Sequence, residues 1–242
     1  VNYKSSAEAA EEVAGTIAER GGEALAVQAD VSDLSQVTAM IETVGDRWGQ
    51  VDILVNNAGV IDDGLLVRMS DEAWERVIST NLNGTFYCTR AVLPHMVKEE
   101  RGDIHFLSSL ATKQVWDDEW AYASAKSWME TFVQTTAKEL SWHGVRVNAI
   151  APTIVESDMG LKLVLDWANA KDPTELYGKI PFDRLIQPSD IANMSVWLAS
   201  DKASHVSGQV MNRSSPMKTM ASGLKREISS RSTSNALSVR AS

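Results

Sequence analysis

The chain has 242 residues, of which 44% are hydrophobic, and a formal net charge of -9. A chain of this size can bury one large core, and its charge argues against nucleic acid or an anionic membrane as partner, because both need a basic face. The single cysteine, Cys88, excludes an intrachain disulfide and indicates a reducing compartment, so we expect a cytoplasmic protein. The four histidines lack ligand spacing, and we predict no metal site.

Apolar periodicity predicts strands and helices in alternation along the chain. The predicted strands are Val1–Tyr3, ALAVQAD, VDILVNNAG, IHFLSS and VRVNAIAP; the predicted helices are SAEAAEEVAGTIAER, capped by Ser5 or Ser6, LSQVTAMIETVGDRWG, Asp71–Lys98 with an interruption at Asn81–Gly84, and Ala121–Trp142. Such alternation implies parallel strands joined by crossover helices. The predicted fold class is therefore α/β, a doubly wound (Rossmann-like) parallel sheet with helices on both faces.

Polar residues and a proline close or directly follow four of these strands: Asp30, Asn57, Ser109 and Pro152. In a doubly wound sheet the carboxyl ends of the strands share one edge, and ligands bind in the crevice outside it. Tyr122 follows Ser109 at a distance that allows a loop and the first turn of a helix over that edge. The sequence thus predicts a binding cleft at the strand ends.

The stretch YASAK places Tyr122 and Lys126 four residues apart, on one face of a helix. A phenol has an ordinary pKa near ~10, and a fixed positive charge beside it stabilises the phenolate. The pair is therefore a candidate general acid. The alternative is an ordinary helical turn with one aromatic side chain facing the core.

Together these residues resemble the short-chain dehydrogenase/reductase family over about Val1–Asn212. The matching motifs, in order and at the usual spacing, are NNAG at 56–59, Asn81 in STNLNGTF, LSS ending at Ser109, and YASAK. The segment NNAGVIDDGLLVRMSDEAWERVISTNL is most similar to 3-oxoacyl-[acyl-carrier-protein] reductases, and VNYKSS also resembles sugar dehydrogenases of the family. The resemblance divides the chain into a Rossmann-like domain at 1–212 and a basic, serine-rich tail at 213–242 that we expect to be disordered.

The resemblance implies an NAD(P)-dependent oxidoreductase that interconverts a ketone and a secondary alcohol by hydride transfer. Its implied catalytic residues are Asn81, Ser109, Tyr122 and Lys126. Tyr122 would be the general acid/base, Ser109 would orient the substrate oxygen, and Asn81 would hold a water that replenishes the proton through Lys126. Two simpler interpretations stay open, since Ser109 could merely end a strand and Asn81 could cap a helix.

The resemblance also implies a set of cofactor-binding residues. They are Asp30 and Val31 at the adenine, Asn57, Ala58 and Gly59 beside the adenosine ribose, Tyr122 and Lys126, and Val155 and Ser157 at the nicotinamide amide and phosphate. Asp30 could equally cap the next helix. The NNAG segment could be a plain turn that ends a strand.

The residues after the first strand bear on the choice between NAD and NADP. We expect the chain to lack the family's first strand, glycine-rich turn and helix and to begin at the second strand. NAD-specific folds usually end that second strand with an acid, whereas here NYKSS contains no acid and none occurs before Glu8. Lys4 and the neighbouring serines could pair with a 2′-phosphate, so we favour NADP, with NAD as the alternative. A merely solvent-exposed Lys4 is the simpler interpretation.

The sequence departs from the family pattern in three places. No glycine-rich turn is present, because no two of the 14 glycines are two residues apart. If the chain is complete, we expect weak or lost cofactor binding and a destabilised sheet, whereas a fragment of a longer protein would be a normal enzyme. Thr153 replaces the glycine of a proline-glycine pair, and Arg213 begins the tail where the family has an apolar strand end.

The loop before Tyr122 bears on the substrate. It carries Trp116, Asp117, Asp118, Glu119 and Trp120, and its three acids would repel an acidic acyl carrier protein. We therefore expect a small neutral or weakly polar ketone or alcohol, such as a sugar or cyclic compound. By analogy Met159–Pro181 would be a substrate lid, although its spacing also fits any amphipathic helix.

Two long helices bear on assembly. In the family the helices that correspond to Asn83–Glu100 and Ala121–Trp142 pack across subunits, so the resemblance implies a homotetramer or homodimer. A second function is then open: a catalytically impaired subunit of this fold that acts as an oligomerisation or binding module. The motif set at Tyr122 favours the enzyme, and the missing glycine turn favours the module.

Overall fold

The computed structural model of the chain describes residues 1–114, 117–168, 171–176 and 183–213. The strands are β1 (Asn2–Tyr3), β2 (Val27–Gln28), β3 (Ile53–Asn56), β4 (Gly102–Leu107), β5 (Val145–Pro152) and β6 (Val210–Arg213). The helices are α1 (Ala7–Glu19), α2 (Leu34–Trp48), α3 (Asp71–Ile78), α4 (Thr85–Lys98), α5 (Trp120–Leu140), α6 (Asp158–Ala168) and α7 (Pro188–Ala199). Three predicted features lie wholly or partly outside the described residues. They are Trp116, a portion of the predicted lid, and the predicted tail beyond Arg213.

All the strand pairs are parallel, as the alternation of strands and helices predicts. β1 pairs with β2, and a second sheet has the order β3-β4-β5-β6. Parallel strands need crossover connections, and the helices supply them. Within each sheet the strands therefore point their carboxyl ends to one edge, and the candidate site residues follow these ends.

The two faces of β4 carry different side chains. Ile104 and Phe106 are completely buried in the main core, where Phe106 meets Phe132 of α5 edge-on at 5.6 Å between ring centroids. Asp103 and His105 point to the opposite face, where His105 Nδ1 lies 2.7 Å from Ser195 Oγ of α7. Helices thus cover both faces of this strand, as the doubly wound fold requires.

The neighbouring strand β3 is less well covered. Ile53 and Val55 pair with Asp103 and His105 in register, so they lie on the α7 side of the sheet. They remain 47% and 45% exposed. Among the described residues no strand pairs with the other edge of β3, and the two sheets consequently remain separate.

Local signals explain the bounds of α2. The Asp33 side chain accepts hydrogen bonds from Ser35 N and Gln36 N, which caps the first turn. Gly49 ends the helix with φ +82°, a left-handed conformation that glycine adopts without strain. At α1 the cap residue is Ser6, but its side chain makes no capping hydrogen bond.

The described chain divides into two compact units. The first comprises Val1–Thr153 and Ser189–Arg213, and it contains all six strands. The second includes Ile154–Pro188 and the helix α6. Within it Val155 bridges to Ile186, and Glu156 N donates to Ile186 O at 2.7 Å. The predicted domain boundary at residue 212 stays a prediction.

The buried His105 gives a first testable prediction, on acid stability. Burial, with a smaller contribution from Arg146, lowers the pKa of His105 to about 4 from 6.5. Between these values the unfolded chain binds a proton that the folded chain excludes, so stability falls as the pH falls from 6.5 to 4. We expect this group to remove about 2 kcal/mol of the free energy of unfolding at pH 5 relative to pH 7.

Urea unfolding of wild type and His105→Asn at both pH values measures this contribution. The variant keeps a partner for Ser195 and should lose about 2 kcal/mol less on acidification. His143→Asn is the matched control, because His143 is exposed and should follow the wild type. Equal acid sensitivity of wild type and His105→Asn would contradict the prediction.

Candidate active site

Asn81 lies in a π-helical turn, Ser79–Gly84, between α3 and α4. The interruption predicted at Asn81–Gly84 therefore exists, as a wider helical turn of a kind often found at functional sites. Asn81 is completely buried, and its Nδ2 donates to Val60 O at 2.8 Å and Val77 O at 2.9 Å. Its Oδ1 accepts no hydrogen bond from the described residues. A buried acceptor of this kind is free for a water or ligand.

Gly59 brings the end of β3 close to this acceptor. A Cβ at Gly59 would lie 2.7 Å from Asn81 Oδ1 and 3.7 Å from Lys126 Nζ. The first distance is shorter than any side chain tolerates, so the glycine is needed for this approach. Asn81, Lys126 and the NNAG segment consequently share one small volume, as the strand-end rule predicts.

Ser109 follows β4 and begins a short 3-10 turn, Leu110–Thr112. Its Oγ accepts a hydrogen bond from Ala111 N at 3.1 Å. Its side chain is also close enough to Tyr122 to lower the pKa of that phenol. Ser109 and Tyr122, which a loop separates in the sequence, thus lie close together. The interpretation of Ser109 as a mere strand end does not account for the contact with Tyr122.

Tyr122 lies in the first turn of α5 and is partly buried. Burial raises its pKa to about 12; the hydrogen bond with Ser109 lowers it, and the carboxylates of Glu119 and Asp63 raise it. The phenol is therefore protonated at neutral pH and can donate a proton. In the chain alone, burial and the two acids outweigh the effect of Ser109 and raise this pKa. The lowering expected from Lys126 together with the positive ring of the cofactor stays a prediction.

Lys126 lies one helical turn after Tyr122, as the spacing predicts. Its Nζ is 5.6 Å from the centre of the Tyr122 ring and donates to Leu107 O at 2.6 Å. The residue is 4% exposed, and burial lowers its pKa to about 8 from 10.5. At neutral pH Lys126 is thus a buried cation near the strand ends, and the burial of its charge lowers the stability of the folded chain.

Two acids near Tyr122 complete the electrostatics of the site. Burial, together with the charge of Asp118, raises the pKa of Asp63 to about 6. Gly64 N donates to Asp118 O at 2.9 Å, which ties the loop after β3 to the loop before α5. Asp118 and Glu119 are predicted at the mouth of the site from the sequence, whereas Asp63 is not among the predicted residues. Asp63 could have been predicted near the site, because it follows the NNAG motif by four residues.

Lys4 and Asp30 lie at the ends of the paired strands β1 and β2. Lys4 Nζ is 2.5 Å from Asp30 Oδ2, and Ser32 donates to Asp30 Oδ1 through both its N and its Oγ. Burial raises the pKa of Asp30, but the bonds from Lys4 and Ser32 outweigh it and lower that pKa overall. Lys4 is still 69% exposed at its side chain. Lys4 is thus solvent-exposed, as the simpler interpretation expects, although it also pairs with Asp30.

The other predicted cofactor residues divide between the two units. Val31 is buried, Asn57 and Ala58 are exposed, and all three belong to the first unit. Val155 and Ser157 belong to the second unit, where Ser157 Oγ accepts from Gly160 N at 3.3 Å in the first turn of α6. Among the described non-glycine residues, a positive φ occurs at Glu100 and Asp183, so Thr153 is not strained.

Comparisons with known proteins decide the family. A family model described as enoyl-(acyl carrier protein) reductase matches residues 1–213. The chain belongs to the short-chain dehydrogenase/reductase family. It is 38% identical over 212 residues to 3-oxoacyl-[acyl-carrier-protein] reductase FabG of Staphylococcus aureus (strain N315), which covers 88% of this chain and 84% of that protein. It is 40% identical over 213 residues to 3-oxoacyl-[acyl-carrier-protein] reductase of Synechocystis sp., covering 88% of this chain and 83% of that protein.

Family membership confirms three predictions made from the motifs: the family itself, the α/β fold class and an oxidoreductase. The family's motif residues are the ones that meet around Gly59 and Lys126 in the structure. In the described part of the chain, no helix has the length and apolar character to cross a bilayer. Within the same residues, no three His, Cys, Asp or Glu side chains cluster as metal ligands would.

Proposed function

We propose that the chain is an NADP-dependent reductase of a small ketone, acting with Tyr122 as general acid/base. The observation that carries the proposal is that Tyr122 lies between two of the predicted catalytic residues: Ser109, which lowers its pKa, and the buried Lys126, whose Nζ is 5.6 Å from the centre of its ring. A protonated phenol beside a second hydroxyl suits a substrate carbonyl that gains charge on its oxygen. The same residues serve alcohol oxidation in reverse.

The proposed reaction moves one hydride and one proton. NADPH, when bound, supplies the hydride to the carbonyl carbon. Ser109 Oγ donates a hydrogen bond that orients the carbonyl oxygen, and Tyr122 gives its proton to that oxygen as the charge develops. The Lys126 charge favours the phenolate that remains. Asn81 Oδ1, buried and free to accept, would hold the water that returns a proton through Lys126.

The strand ends fit the cofactor. Lys4 is exposed and its ammonium has donors beyond the one that pairs with Asp30, so it can bind a 2′-phosphate. Asp30 would meet the adenine amine with Val31 alongside, and the backbone at 57–59 would border the ribose. Tyr122 and Lys126 would hold the nicotinamide ribose side. In the second unit Val155 and Ser157 are proposed for the nicotinamide amide and phosphate.

Lys4 gives the sharpest test of the proposed NADP preference. Its exposed ion pair with Asp30 contributes little to stability, so Lys4→Ala should fold normally. We expect the Kd for NADPH to rise by about 10-fold in the variant, because one charge-assisted contact is lost, while the Kd for NADH stays the same. Thermal-shift titrations with both nucleotides measure this.

Lys98→Ala is the control for that titration, because Lys98 is an exposed lysine at the end of α4. A stronger shift with NADH than with NADPH in the wild type would contradict the NADP preference. A folded wild type that shifts with neither nucleotide would contradict the enzyme and favour the second candidate function, a catalytically impaired binding module.

The acids around Tyr122 support a small neutral substrate. Asp63 and Glu119 act on the Tyr122 phenol and Asp118 acts on Asp63, so these three carboxylates would repel an anionic carrier. The relatives' printed names point instead to a 3-oxoacyl group on acyl carrier protein, which is the second candidate substrate. Parallel turnover assays with neutral cyclic ketones and a 3-oxoacyl thioester separate the two.

A homo-oligomer, either tetramer or dimer, is part of the proposal. Partly exposed aromatic side chains group on α4 and α5, where Trp128 stacks on Phe132 at 4.5 Å and the Arg90 guanidinium lies 4.8 Å from the Phe86 ring centroid. Aromatic residues and arginine are enriched in the cores of subunit interfaces. We also propose a cytoplasmic location, which the unpaired, buried Cys88 supports.

A further inference from the structure

We propose that Glu130 is a positioning residue for Ser109, an inference that rests on the proposed function. Ser109 depends on the turn that follows it. Thr112 N donates to Ser109 O at 3.3 Å, while Ala111 N donates to Ser109 Oγ. The position of the Ser109 hydroxyl therefore follows the position of residues 110–113.

The Glu130 carboxylate holds that turn on α5. One carboxylate oxygen accepts from Thr112 Oγ1 and the other from Lys113 Nζ. The Glu130 side chain is 14% exposed, whereas that of Lys113 is 50% exposed. Hydrogen bonds to a charged, mostly buried acceptor are stronger than those of a surface ion pair. Glu130 thus fixes the turn at two successive residues.

The location of Glu130 on α5 links this turn to the general acid. Tyr122, Lys126 and Glu130 are spaced at four-residue intervals, and residues four apart lie on one side of a helix. The helix that carries Tyr122 therefore also carries the anchor of the Ser109 turn. The helix α5 therefore positions both hydroxyls that are proposed to contact the substrate oxygen, those of Tyr122 and Ser109.

A small displacement at this distance has a large effect on rate. A misplacement of about 1 Å by a residue remote from the chemistry can cost about 10²-fold. Loss of Glu130 would free Thr112 and Lys113, and Ser109 would then sample positions too far from Tyr122. Substrate binding depends on Ser109 less than the transition state does, so kcat should change more than KM.

A double-mutant cycle tests the inference. We expect Glu130→Ala to lower kcat about 10-fold with KM changed less than about 3-fold, and to have no further effect in the Ser109→Ala background. Glu130→Gln retains an oxygen that accepts from Thr112 and should keep kcat within about 3-fold of wild type. Glu139→Ala, an exposed glutamate on the same helix, is the control and should change neither.

Hydrogen exchange gives a readout that does not require turnover. The amides of residues 110–114 should exchange faster in Glu130→Ala than in wild type or Glu139→Ala. Unchanged exchange overturns the inference whether or not activity is detected, and so does an equal loss of kcat with and without Ser109. Failure of the proposed function gives a different result. Turnover would then survive in Tyr122→Phe or be absent from wild type, while the amides of residues 110–114 would still exchange faster in Glu130→Ala.

Discussion

Replacing Tyr122 with phenylalanine is expected to lower kcat for ketone reduction by about 10²- to 10⁴-fold, the usual contribution of a general acid. The substitution keeps the ring and removes the hydroxyl whose pKa Ser109 influences. The phenol has a pKa of about 12, so it is the proton donor across the whole range in which the protein can be assayed. Steady-state kinetics with NADPH and a panel of ketones measures the loss.

Two further measurements make this result specific. Tyr122→Phe should still show a thermal shift with NADPH, somewhat smaller than that of wild type, because it loses one of several proposed cofactor contacts while the ring and the fold are retained. Tyr87→Phe, a partly buried tyrosine on α4, should keep wild-type turnover. Unchanged kcat in Tyr122→Phe would remove the proposed acid.

The pKa of Tyr122 also predicts different pH profiles for the two directions of the reaction. Reduction uses the phenol, which is present at every pH below about 12, so no fall of rate between pH 6 and 9 should come from this residue. Alcohol oxidation uses the phenolate and should become faster with rising pH. A phenol with a pKa near 7 would give the opposite result, a reduction rate that declines above neutral pH.

The order of strands and helices could be predicted from the sequence because burial leaves a strong periodic signal. VRVNAIAP is an almost uninterrupted apolar run, and β5 occupies that run from Val145 to Pro152 with seven of its residues buried and Arg146 intermediate. ALAVQAD was predicted as a seven-residue strand, yet β2 covers Val27–Gln28 only. Its one paired neighbour is the two-residue β1, and the pairing partner, rather than the composition, limits its length.

The members of the candidate site were predictable, but their electrostatics were not. Spacing places Lys126 one turn from Tyr122, and the structure agrees. The pKa of Tyr122 depends instead on how deeply the phenol is buried and on Asp63, which reaches it from a loop some sixty residues earlier in the sequence. Lys4 and Asp30 likewise had separate predicted roles, and their ion pair follows from the register of Tyr3 with Gln28.

Lys126→Met is expected to change activity and stability in opposite directions. Lys126 is 4% exposed, and its charge is buried with a pKa of about 8 in the folded chain against 10.5 in the unfolded one. At pH 7 this difference costs about 3 kcal/mol of stability, at about 1.36 kcal/mol for each pKa unit. Methionine fills a similar volume without charge but loses the hydrogen bond to Leu107 O, worth about 1 to 2 kcal/mol. The variant should therefore be more stable by about 1 to 2 kcal/mol.

The same substitution should lower kcat by at least about 10²-fold, because the phenolate that remains after proton transfer loses its only nearby cation within the described site. The stability gain must also depend on pH. Between pH 8 and 10.5 the unfolded wild type holds a proton that the folded one releases, so wild-type stability rises with pH and the advantage of the variant shrinks.

Urea unfolding at pH 7 and about pH 9.5 measures this change, and the gap between the two proteins should narrow by about 2 kcal/mol. Lys138→Met, an exposed lysine on α5, should show neither effect. A Lys126→Met variant that is less stable than wild type at pH 7 would mean that the ammonium is stabilised where it lies. In that case the buried ammonium would not destabilise the folded chain, and burial would not lower the pKa of Lys126 as proposed. The expected result instead means that stability is lost for the sake of activity at this position. The reaction needs the Lys126 cation, although a neutral side chain there would make the chain more stable.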